Sequence, residues 1–226
     1  MHIDDNELRK LESFIGYGSL KADYWFLGME EGGGGDENIR ARLNFKQIED
    51  CKKAHEILGI TKYHEGTRVI QRTWRGMCYS MLKLNHQNVT TEMIRDYQSQ
   101  YLGRANGNTL VCELMPIPKP KISTWNYHDL IPQYKSRKEY YNAVKPNRIK
   151  LIKEPYNQYS PKVIIAYGKS YWNDYKKIFD TVKFETIKNK PFAVGTSGST
   201  RIILTHHFVS KTMNYQLDNL TKYMKN

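Results

Sequence analysis

Cysteine is scarce in this sequence. Only Cys51, Cys78 and Cys112 occur in 226 residues, at spacings that match no zinc or iron–sulfur pattern. A sparse, odd set excludes a disulfide scaffold and fits a reducing cytoplasm. Long apolar runs are also missing, so no membrane span is expected. The opening "MHIDDNELRKL" does not read as a secretory signal. There is no repeat of 20–50 residues and no low-complexity linker. Acidic residues are the other shortage, with 23 against 35 Lys and Arg, a net charge of +12. That imbalance points to a polyanionic partner, nucleic acid above all. What is present, 39% hydrophobic and 12% aromatic residues, is enough for a core and argues against wholesale disorder.

The length suits one domain over residues 1–226. Its charge is uneven. Between Lys119 and Lys153 stand nine Lys or Arg and two acids, Asp129 and Glu139, interleaved with Tyr127, Tyr134, Tyr140 and Tyr141. Basic residues among aromatics suit phosphate contact plus base stacking. Tyr140 and Tyr141 read equally well as the inward side of an amphipathic helix.

Apolar periodicity predicts a helix over Asp5–Ile15 and a strand "DYWFLG" ending at Gly28. Helical sequence follows over Asn38–Leu58 and Thr67–Leu84, and again from Thr90 or Thr91. Thr109–Leu114 reads as a buried strand, and Pro116, Pro118 and Pro120 force an extended exit. More helix lies between Ser136 and Tyr159, interrupted near Pro146. "KVIIAYG" is an apolar strand of the parallel kind, leading to a helix near Ser170. "VKFETI" and "FAVG" form a ribbon, "STRIILTHHF" is a last core strand, and a helix closes the chain from Thr212. The alternation predicts a three-layer α/β/α sandwich with a mostly parallel central sheet. Sites in such sheets lie beyond the carboxyl ends of the strands. Four strand ends there carry chemistry: "GMEEG" (28–32), "ELMPIP", "YGKS" and "THHFVS".

Glu30 and Glu31 precede four glycines that let a ligand approach the backbone. They read otherwise as solvated loop acids or as partners of the next helix dipole. No Gly-Lys-Ser/Thr follows, so the loop is not a Walker loop. His206 and His207 end a strand, where neighbours point to opposite faces and one enters a site. A carboxylate facing a histidine suits metal-assisted hydrolysis or cleavage of a glycosidic bond, in which the acid steadies the sugar cation and the histidine stabilises the departing base.

In order and in strand-end placement, "GMEEG", "CELMPIPKP" (112–120), "VIIAYGK" (163–169) and "THHFVS" (205–210) resemble the motifs of the uracil-DNA glycosylase superfamily. The resemblance covers most of the chain. It implies that fold and a monomeric enzyme that flips a base out of DNA and leaves an abasic site, with no metal and no organic cofactor. Glu30 takes the place of the activating Asp or Asn. His207 takes the place of the catalytic histidine when "ILTHHF" is aligned on Thr-Tyr-His-Pro, and His206 does when the strand end is aligned directly. Glu113 stands where an Asn reads the base edge; if ionised it only accepts, which favours an amine such as cytosine N4. Gly32 stands where uracil-specific members carry a tyrosine that blocks C5 of the base. Gly28, Met29, Glu31 and a stacking Trp125 complete the base-binding set. Lys119, Lys121, Lys169, Ser170, Ser210 and Lys211 are the candidate DNA contacts, with Phe208 or Val209 as the apolar wedge. The implied substrate is a modified base, such as a C5-substituted or glycosylated cytosine, in repair or phage defence. The rivals are a metal-dependent nuclease using Glu30, Glu31 and a histidine, and a non-catalytic nucleic-acid-binding module.

Overall fold

The strand segments are apolar on both sides, and both sides are covered. The protein is described here by a computed structural model covering residues 2–121 and 123–225. On β2 (Tyr24–Gly32), Trp25 and Leu27 pack into one core while Phe26 packs into the other. The first core is closed by α1 (Asp5–Ser13), α6 (Arg137–Tyr159) and α7 (Trp172–Ile178). The second is closed by α3 (Cys51–Ile57), α4 (Arg72–Lys83), α5 (Thr91–Gln100) and α9 (Leu217–Lys225). The fold is therefore mixed α/β, with helices on both faces of one sheet.

Among the described residues that sheet has eight strands. Its centre is β4 (Thr109–Lys119), β2, β5 (Val163–Tyr167) and β8 (Thr200–Thr205), side by side and all parallel. One flank carries β1 (Gly16–Gly18), antiparallel to β4, and then β3 (Ile48–Glu49). The other carries an antiparallel ribbon of β7 (Phe192–Ser197) and β6 (Glu185–Thr186). α2 (Asp36–Arg42) follows the glycines, and α8 (Lys211–Asn214) precedes α9. No helix among the described residues is long and apolar enough to cross a membrane.

Several boundaries differ from the sequence reading. β2 does not end at Gly28; it continues to Gly32, so Glu30 and Glu31 are strand residues. β4 runs on through Pro116 and Pro118 beside it, with a register shift between Glu30 and Gly32. The stretch 38–58 is two short helices divided by β3, and β1 and β3 are too short to show a period. α6 is unbroken at Pro146 and also contains Pro155, because Tyr140, Tyr141, Val144, Ile152 and Tyr156 bury its length against the sheet. Arg148 of α6 is buried and donates to the carbonyls of Leu114, Glu12 and Glu113. It thereby fixes the strand position that carries the Glu113 side chain. Arg148→Met is expected to cost about 3 kcal/mol or more, since buried carbonyls left unpaired cost ~1–3 kcal/mol each. A drop in the urea midpoint at constant slope would show it.

Candidate active site

Parallel strands bring their carboxyl ends to one edge, and there β2, β4, β5 and the residues after β8 surround a cavity of about 520 Å³, a size typical of small-molecule sites. Met29, Glu30, Glu31, Gly32, Glu113 and His207 all line it. The expected convergence of strand ends is thus observed.

Successive residues of β2 face opposite ways, so the two glutamates have different surroundings. Glu30 turns toward α6. Lys119 Nζ lies 3.1 Å from its Oε1, and Tyr141 donates to its Oε2 at 3.1 Å. Both side chains of the Glu30–Lys119 pair are buried. Burial raises the Glu30 carboxyl to about 7, against the opposing pull of Lys119 and Tyr141. Burial likewise lowers the Lys119 ammonium, which Glu30 partly offsets. Glu31 turns the other way. It accepts from Tyr17 Oη at 2.8 Å and pairs with buried Arg42 at 2.8 Å, while Arg42 also donates to Tyr17 Oη at 3.2 Å.

Glu113 rises from β4 beneath this edge. Tyr167 donates to its Oε1 at 2.7 Å, while Oε2 is shut off from solvent without a partner. Burial raises its carboxyl to about 8, helped by the charges of Glu31 and Glu30 and opposed by Tyr167. At neutral pH Glu113 is therefore chiefly the uncharged acid, a donor as well as an acceptor. The acceptor-only behaviour expected of an ionised Glu113 applies to its other protonation state. Gly28 is required by close approach: a Cβ there would lie 2.1 Å from Glu113 Oε2 and 2.3 Å from Tyr167 Oη. At Gly34, φ is +101° and a Cβ would stand 2.1 Å from Tyr127 Oη, so the loop hugs Tyr127 at this point. A Cβ at Gly32 would meet nothing within 4 Å.

His207 borders the cavity, edge-on to Tyr167 at 5.3 Å, whereas His206 faces Trp172 at 6.2 Å and lies outside the lining. Burial lowers the His207 imidazole and keeps it neutral. Its Nδ1 accepts from the Val209 N–H at 3.3 Å, so the ring proton sits on Nε2.

Three expected contacts are not where the sequence suggested. Phe208 is 1% exposed, packed against Phe26 and Tyr167. It is core, and no wedge. Val209 beside it is 47% exposed. Trp125 is not in the lining; it stacks on Tyr140 and donates to the Tyr134 carbonyl. Lys119 faces Glu30 and the Tyr141 ring instead of solvent. Lys121, Lys169 and Ser170 are exposed just past their strand ends and Lys211 is exposed at the start of α8, which Ser210 caps by accepting from the Met213 N–H.

Sequence reasoning missed the roles of Lys119, Tyr141 and Tyr167. The signal for Tyr167 was present: a polar-tipped residue directly before the glycine that ends an otherwise apolar strand. No protein-family model matches the chain, and no curated protein matches it significantly.

Proposed function

We propose that the chain is a monofunctional DNA glycosylase of uracil-DNA glycosylase type. The observation that carries this reading is the meeting of Glu30, Glu113 and neutral His207, from three separate strand ends, in one cavity beside an open glycine. A nucleotide flipped from DNA puts its base in the cavity. The bond from C1′ to the base nitrogen breaks, and its electron pair leaves with the base. The Glu30 carboxylate faces the positive charge that develops on the sugar, then takes a proton from the water that adds to C1′. His207 Nε2–H donates to the anionic base. Lys119 and Tyr141 hold Glu30 in place and favour its charged form. Glu113 offers a donor beside an acceptor to the base edge, and the space at Gly32 leaves room for a substituent on C5, as in modified cytosines of repair or phage-defence substrates. Exposed Lys121, Lys169 and Lys211, on the same edge, meet the phosphates.

The two glutamates already face Lys119 and Arg42, which counts against the nuclease reading. The test is to incubate the protein, with no added metal, with DNAs carrying uracil, 5-hydroxymethyl or glucosylated pyrimidines. Strand breaks that need alkali, with free base released, support the glycosylase. Breaks without alkali that require magnesium would establish the nuclease, and salt-dependent binding with no base released would establish a binding module.

The acid–base states give a sharp pH expectation. Glu30 must be ionised and has its carboxyl raised to about 7, so base release climbs as pH rises through that value. Glu113 acts as the neutral acid and is raised to about 8, so release falls above it. The single-turnover rate should trace a narrow bell whose limbs belong to the coupled pair. Lys119→Met removes the charge that favours ionised Glu30 and should move the acid limb upward. An unmoved limb would separate Glu30 from that step.

A further inference from the structure

A second cluster lies behind the cavity wall, outside the proposed chemistry. Cys51 and His55 are one turn apart on α3, on the same side of the helix. His64 comes from the connection between α3 and α4. All three are buried, and their ligand-type atoms lie within 4.8 Å of one another. His55 Nδ1 and His64 Nε2 are 2.8 Å apart. The other nitrogen of His64 is shut off from solvent. His55 borders the cavity and stacks on Trp74 of α4 at 5.2 Å.

We propose that Cys51, His55 and His64 form a binding site for a zinc-class divalent transition ion. One thiolate with two neutral imidazoles is a donor set of the kind such ions take. Metal–nitrogen bonds of ~2.0–2.1 Å in a tetrahedron set two nitrogens about 3.3 Å apart, so the imidazole pair needs to open by only about half an ångström. On binding, the Cys51 thiol releases its proton to solvent. The proton shared between the two rings leaves the facing nitrogens for an outer one, and the three side chains leave the ion's fourth position to a further ligand such as a water molecule. The ion would tie α3 to the segment leading to α4, adding to the contact that the two rings already make between them. The pattern Cys-x3-His-x8-His is spread too widely to match a short metal motif.

The test is titration of chelator-treated, refolded-checked protein with Co(II), followed by visible and near-ultraviolet absorption. Saturation at one equivalent is expected, with a thiolate-to-cobalt charge-transfer band and four-coordinate ligand-field bands, all displaced by zinc. Cys51→Ser should lose the charge-transfer band, and His64→Gln should keep it while weakening binding by at least about 10–100-fold. Cys78→Ser, a buried thiol outside the cluster, should change neither and controls for perturbed folding. Absence of saturable uptake, or a charge-transfer band that survives in Cys51→Ser, overturns the proposal. The titration reads no base release, so its failure leaves the glycosylase reading standing, and an inactive protein that binds cobalt in this way leaves the metal site standing.

Discussion

Glu30→Gln is expected to slow base release by about 10²–10³-fold, the usual range for losing one preorganised charge-stabilising group, while DNA affinity stays within about twofold, as its phosphate contacts are elsewhere. The amide keeps the shape of the carboxylate and can still accept from Tyr141. It cannot offer negative charge to the sugar. The substitution also removes the negative charge facing Lys119, whose side chain is 1% exposed, and a buried ammonium that loses its counter-charge costs stability. The double variant Glu30→Gln/Lys119→Met removes that strain and should recover melting temperature without recovering rate. Rates measured under single turnover, beside binding by fluorescence anisotropy, separate the two effects. A double variant as fast as the parent would take Glu30 out of the mechanism.

Gly28→Ala should cost about 10²-fold in rate with a smaller loss of stability. The added methyl carbon meets the tips of Glu113 and Tyr167 rather than backbone. The side chains can swing aside, but only by giving up the 2.7 Å hydrogen bond between them and moving the carboxyl that we propose reads the base. Displacement by about 1 Å of a positioning group is enough for a loss of that size. Gly16→Ala is the contrast: its Cβ would lie 2.2 Å from the Val111 carbonyl oxygen, so it should unfold the flank of the sheet. A Gly28→Ala protein with the parent's rate and the parent's alkaline limb would show that Glu113 does not read the base.

Much of the architecture was legible in local pattern. "DYWFLG", "KVIIAYG" and "RIILT" are short apolar runs closed by glycine or polar residues, and their order predicted adjacent parallel strands with a shared edge. What was not legible depended on partners distant in sequence. Nothing local distinguishes Lys119 from the exposed Lys121, yet Glu30 and Tyr141 draw the first inward. Phe208 and Val209 are neighbours of similar character, and only the packing of Phe26 and Gly76 shows which is core. The protonation of Glu113 follows from burial beside Tyr167 and other acids, which residue type alone does not reveal. Pro146 signalled a break in α6 that tertiary packing overrides.

The pairing of the central strands has a bearing on how the chain acquires its site. β2 lies between β4 and β5, each separated from it by a long stretch of sequence, and β8 joins last along the chain. Every one of these contacts closes a large loop before any ligand-facing group acquires its neighbour. Folding is therefore expected to be slow for a chain of this length. No short continuous fragment brings Glu30, Glu113 and His207 together, so the cavity they line is complete only when the last parallel strand docks.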